Sequence, residues 1–195
     1  MSKKTEAGRD LLEKIDFSDD EYKVKQRIFR NKYTVYDSDG EEILKAKQKL
    51  LKMKEEFPFK TPDGDVVFRV KAKNTLDIAG DYTVVDEETG EEVLVLEKEF
   101  SILIHRWRIR DPNTGDEIAE IESRSKIFGL LRYFSNIASY IPHRYSIEEP
   151  DGRQVGEIRG KLSIRDTYVV DVEDDDIPKE AVVPAAIVVD ALEGN

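Results

Sequence analysis

The sequence predicts a mainly β protein, a barrel or sandwich of about ten to twelve short strands joined by tight turns. Two stretches break the pattern and read as helices. Three observations carry this prediction. A hairpin signature recurs along the chain, in which an aromatic residue, a β-branched residue and an acid precede a turn glycine. Its aromatic starts are separated by 49, 25, 38 and 23 residues, and that irregularity rejects a solenoid or propeller of fixed period. The chain then closes on a stretch, Ala181 to Leu192, that is apolar apart from Asp190.

The hairpins come first in the chain. Tyr33-Thr34-Val35-Tyr36-Asp37 leads to Gly40, and Tyr82-Thr83-Val84-Val85-Asp86 leads to Gly90. Trp107-Arg108-Ile109-Arg110-Asp111 leads to Gly115, and Tyr145-Ser146-Ile147-Glu148-Glu149 leads to Gly152. Phe59 to Gly64 is a shorter relative, and Tyr168-Val169-Val170-Asp171 starts the pattern without the glycine. Alternate aromatic and β-branched residues line one face of a strand. Asp followed by Gly supplies the side-chain acceptor and the positive φ that a tight connection needs. After each glycine an apolar run resumes, as in Ile43-Leu44 and Val93-Leu94-Val95-Leu96.

The first helical stretch is 126–141, with apolar residues at 127, 130, 131, 134, 138 and 141 and polar ones on the other side. Pro142 ends it. The second is 181–192, apolar nearly all round, as a helix inside something must be. At about 1.5 Å per residue it is roughly 18 Å long, too short to cross a bilayer and long enough to thread a small barrel. Pro184 fits the first turn of such a helix, while the β-branched content also suits a strand. Residues 1–21 read as an N-terminal segment, a short helix or a mobile arm, ahead of one domain over 22–195.

Composition narrows the function classes. The chain has 195 residues, with 37% charged and 39% hydrophobic, enough to bury a full core without staples. It has no cysteine, which removes disulfides, thiolate metal sites and thiol nucleophiles. Its two histidines, His105 and His143, lie far apart, against a histidine-built metal site. No Ser-His-Asp order, phosphate-binding glycine loop or HExxH occurs. Catalytic residues, cofactors and metals are therefore not expected. No apolar run approaches a spanning helix, and the first residues lack a secretory h-region, so a cytoplasmic protein is expected.

Charge is unevenly placed. The formal net charge is −11, from 31 basic and 42 acidic residues, which argues against DNA as a partner. Yet window 43–75 holds nine basic and four acidic residues. Lys45, Lys47 and Lys49 alternate, as do Lys52 and Lys54, and Arg69, Lys71 and Lys73. Alternation puts each set on one strand face, and in a barrel that face points outward. Such a stripe suits an anionic partner, lipid headgroups or a nucleic acid backbone, although strand exteriors also carry lysine to block edge pairing. Helix 126–141 is a second candidate surface, for a membrane interface or a protein partner, through Phe128, Arg132 and Phe134.

Two acidic features carry less. Glu173-Asp174-Asp175-Asp176 fails the EF-hand pattern, because counting from Asp171 places Asp176 at the glycine position and Val182 at the glutamate position. It reads as a solvated turn capping the terminal helix. Asp190, inside an apolar helix, needs a way out to the barrel end or a partner such as Arg106, Arg108 or Arg165.

The ordered hairpins, Asp166-Thr167-Tyr168-Val169-Val170 and Ile187-Val188-Val189-Asp190 resemble the LURP-one-related family over about residues 22–192. That family groups with the phospholipid scramblases and the Tubby C-terminal domain. The resemblance implies a closed antiparallel barrel of twelve strands around the C-terminal helix. It also implies lipid association in some members. The scramblases' cysteine-rich palmitoylated segment and proline-rich arm are missing, so binding is expected rather than lipid scrambling. The sequence thus points to a non-enzymatic barrel at the cytoplasm or peripheral at a membrane, binding anionic phospholipid. A protein-interaction scaffold is the alternative, and a small-ligand carrier using the barrel interior is the third reading.

Overall fold

Period-two alternation of large apolar and polar residues turns each strand into a two-faced ribbon. A computed structural model of the chain describes residues 15–27, 32–47, 56–73, 81–99, 106–123, 144–160, 167–174 and 177–193. Its first six strands are β1 (Glu21–Arg27), β2 (Lys32–Tyr36), β3 (Glu42–Lys47), β4 (Glu56–Lys60), β5 (Val66–Ala72) and β6 (Tyr82–Asp86). The next six are β7 (Glu92–Glu99), β8 (Arg106–Arg110), β9 (Glu117–Ser123), β10 (Arg144–Glu148), β11 (Gln154–Gly160) and β12 (Thr167–Val172). One helix, α1 (Lys179–Glu193), follows among the described residues.

The strands form one closed barrel in which every neighbour in space is a neighbour in sequence, except at the seam. There β1 pairs antiparallel with β12, Tyr22 facing Val170 and Val24 facing Tyr168. Closure gives every strand a neighbour on both sides among the described residues, most thinly between β3 and β4, where two residue pairs stand in register, and so limits the edges open to another chain. The lining is heavy: Trp107, Tyr22, Tyr33, Phe57, Phe59 and Phe68 are fully buried. Phe59 and Phe68 stack across β4 and β5 with centroids 4.5 Å apart.

Five tight turns share one end of the barrel. Their glycines, Gly40, Gly64, Gly90, Gly115 and Gly152, all have positive φ, from 72° to 106°. A register shift sits beside each turn, at Tyr36, Lys60, Val85, Arg110 and Glu148. A glycine in the left-handed region next to a one-residue bulge is the preferred way to end a right-twisted hairpin. The acids act as expected. Asp86 Oδ1 accepts the amides of Glu88 and Thr89, both at 2.8 Å, and Asp111 Oδ1 accepts that of Asn113 at 2.7 Å. The other end, called here the connection end, carries the longer links between strands. Those links lie outside the described residues, and so does the expected helix 126–141.

The axis of the barrel is occupied by α1. From Ala181 to Val189 its apolar residues are at most 1% exposed. The helix starts earlier than the sequence implies: Ala181 N and Val182 N donate to Pro178 O at 2.9 and 3.2 Å. Pro184 therefore stands well inside the helix instead of in its first turn. The wall packed around it offsets the cost of about 3 kcal/mol that an interior proline carries. Residues 15–20 cross the turn end as a strap. Ile15 and Phe17 are buried, Phe17 meets Tyr22 edge-on, and Asp20 O accepts the amide of Val172 at 2.8 Å. Asp20 also holds the buried ammonium of Lys179 at 2.5 Å. A lysine in a helix's first turn opposes the helix dipole, and the strap supplies its counter-charge.

Candidate functional site

The outer wall over β1–β5 is where the predicted lysines fall. Lys25, Thr34, Lys45 and Lys60 stand in register across β1 to β4. Lys32 and Lys47 face each other across β2 and β3. Lys71 and Lys73 lie at the end of β5, with Lys71 opposite Glu56. Directly opposed like charges cost stability, and this wall has two such pairs, Lys45 with Lys60 and Lys32 with Lys47.

Not all of the predicted cations are available. Arg69 forks onto Glu87, Nε to Oε2 at 2.5 Å and Nη2 to Oε1 at 2.9 Å. That pairing holds the Glu87 carboxyl below its ordinary range. Lys45 is drawn to Glu42 Oε1 at 2.5 Å and donates to Pro62 O at 3.1 Å. Lys25 lies 4.5 Å from the centre of the Tyr36 ring. By contrast, the side chains of Lys23, Lys32, Lys47, Lys60 and Lys73 form no ion pair or hydrogen bond among the described residues. Lys47, Lys71 and Lys73 were legible in the sequence, whereas Lys23, Lys25, Lys32 and Lys60 were missed. Lys23 and Lys25 alternate in EYKVKQR, a signal of the same kind, but their place beside β3 follows from the barrel's closure. Lys49, Lys52 and Lys54 lie outside the described residues, as do Phe128, Arg132 and Phe134.

The opposite wall is built differently. On β8 the arginines Arg106, Arg108 and Arg110 face Glu122, Glu120 and Glu117 of β9, each directly in register. Arg106 Nη2 reaches Glu122 Oε2 at 2.6 Å, Arg108 Nη2 reaches Glu99 Oε2 at 2.9 Å, and Arg110 Nε reaches Glu97 Oε2 at 2.7 Å. These bonds raise the Arg106 and Arg110 guanidinium pKa values further. Burial, with the neighbouring Glu117 and Glu122 charges, holds the Glu120 carboxyl above its ordinary range against the opposing pull of Arg106 and Arg108. Every cation of this ladder is neutralised in place.

Inside the barrel, neither Arg106 nor Arg108 partners Asp190. Arg106 and Arg108 point outward into the ladder, and Arg165 lies outside the described residues. Asp190 is instead hydrogen-bonded to the Tyr33 hydroxyl, which accepts from Gln26 Nε2 at 2.8 Å. The outward-facing residues of β8 alternate with Trp107 and Ile109, so their guanidiniums cannot reach the axis. Asp174 of the acidic turn bonds Arg153 Nη1 at 2.5 Å. A shallow groove of about 320 Å³ lies on the outer wall between Arg144, Arg159, Val169 and Glu21. Arg159 there is already bonded to Asp171 at 2.6 Å.

A hairpin barrel closed around its own C-terminal helix, with a lysine-rich wall whose cations are only partly paired, is the class these features define. The LURP-one-related family model matches residues 42–190, and the chain belongs to that family. An X-ray structure of a protein from Arabidopsis thaliana is similar in fold, with a TM-score of 0.55 at 7% identity. The alignment covers 88% of this chain and 90% of that one. No functionally curated protein matches the chain. Among the described residues no helix is long and apolar enough to cross a membrane.

Proposed function

We propose that this protein is a non-enzymatic binding module that associates with anionic phospholipid at a membrane surface through the outer wall of β1–β5. One observation carries the reading. In a chain of net charge −11, lysines stand directly opposite lysines on this wall, while the β7–β9 wall sets each arginine of β8 opposite a glutamate. Cross-strand like charges are a stability cost that solubility does not require, because alternating signs solubilise equally well. An external anionic surface removes that cost. Each lysine near such a surface gains about 1 kcal/mol, so a handful gives weak, reversible, salt-sensitive attachment. With α1 filling the axis, the interior holds a helix where a carrier would hold its ligand.

The test is co-sedimentation with vesicles rich in phosphatidylserine, against phosphatidylcholine alone. Salt-sensitive binding to the first and none to the second is expected. Reversing Lys47, Lys60, Lys71 and Lys73 to glutamate should lower the partition by well over a hundredfold, since even neutralising four such lysines removes about 4 kcal/mol. Unchanged sedimentation of that variant would reject the reading.

A further inference from the structure

The barrel is electrically polar along its axis. The five tight turns, residues 37–41, 61–65, 87–91, 111–116 and 149–153, hold twelve acidic side chains and one basic one, Arg153. Their net charge of −11 equals that of the whole chain. The strap adds Asp16, Asp19 and Asp20 at the same end, and Glu173 and Asp174 follow β12 there. Of the lysines whose side chains have no partner among the described residues, Lys32 opens β2, Lys47 closes β3 and Lys73 follows β5 at the other end, with Lys71 beside it. Lys23, opposite Tyr36, and Lys60, at the close of β4, instead adjoin the acidic turns, whose carboxylates offset them. A lysine wall lying flat on an anionic bilayer would bring the acidic turns Asp37–Glu41 and Thr61–Asp65 down with it.

The geometry points to a tilted docking pose, in which the barrel meets an anionic bilayer by the connection-end half of the β1–β5 wall and the five glycine turns project into water. This rests on the membrane reading above and adds which end faces the lipid. From Lys32 to Ser38 is six residues, about 20 Å at roughly 3.3 Å each, or about 15 Å along the axis after strand tilt. The screening length in physiological salt is about 8 Å. Acids held nearly two screening lengths above the headgroups are only weakly repelled, whereas in a flat pose they oppose the lysines directly. The pose also leaves the strap and the entry of α1 on the water side, open to a second partner.

The absence of native cysteine makes site-specific labelling simple. Single variants Thr34→Cys, on the wall between Lys25 and Lys45, Ser38→Cys and Thr114→Cys, in two turns, receive an environment-sensitive fluorophore. They are then mixed with phosphatidylserine vesicles containing a lipid-borne quencher. Quenching at Thr34→Cys with Ser38→Cys and Thr114→Cys left in water is expected. Equal quenching at Thr34→Cys and Ser38→Cys means a flat pose and overturns the orientation while keeping the membrane reading. Quenching at a turn label alone overturns it too, and no binding by any labelled or unlabelled chain removes both. Asp39→Asn with Asp63→Asn, two exposed turn acids, gives a label-free arm. The tilted pose predicts a change in vesicle affinity below about twofold, and a rise above about fivefold overturns it.

Discussion

At single positions the barrel wall tolerates little. A Cβ on Gly156 would lie 2.1 Å from the Asp171 carbonyl oxygen, a backbone atom of the next strand. Relief requires moving β12 itself, which also closes the barrel on β1. Gly90 differs: a Cβ there meets nothing within 4 Å, and only its φ of +72° is strained. Gly156→Ala should therefore cost at least about 3 kcal/mol, at the upper end of overpacking, and Gly90→Ala about 1–2 kcal/mol, the left-handed penalty. Urea denaturation of both variants checks the order, and equal losses would contradict the steric account. Asp190 makes the same point for polar groups. An acid in a helix's last turn opposes the dipole, and the fold answers with the Tyr33 hydroxyl.

Among elements, α1 does what no strand does, since it is the shared core of the whole ring. Ile187 is 0% exposed. Ile187→Ala should destabilise by about 2–5 kcal/mol, depending on how far the wall relaxes into the cavity, as thermal melting would show. The hairpins need less help, because each carries its own turn chemistry and pairs with its neighbour. Local pairing of this kind should fold ahead of the β1–β12 seam, whose partners are far apart in sequence.

For the molecule as a whole, burial of tyrosines sets the alkaline limit. Tyr22, Tyr33 and Tyr168 all have hydroxyls pushed above the ordinary 10.0 by burial first, and for Tyr33 and Tyr168 also by the Asp190 charge. A group raised in the folded state lends stability below its unfolded pKa and loses it as pH climbs beyond. Stability should thus be level to about pH 10 and fall steeply above it. Tyrosinate absorbance should then rise together with loss of circular dichroism. Tyrosinate appearing well before unfolding would show that these hydroxyls are not sequestered.

The hairpins, their glycine turns, the buried terminal helix and the lysine alternation on β3 and β5 were all legible in the chain, because each depends on residues a few positions apart. Periodicity and turn chemistry act locally, so a linear reading captures them. The start of α1 at Pro178 and the Tyr33 partner of Asp190 were not legible, nor was the membership of Lys23, Lys25, Lys32 and Lys60 in the cationic wall. The separation of an acidic end from a basic one was likewise hidden. Each of these is set when the ring closes, since closure alone decides which side chains from distant strands stand opposite one another and which carbonyls and hydroxyls meet the helix at the axis.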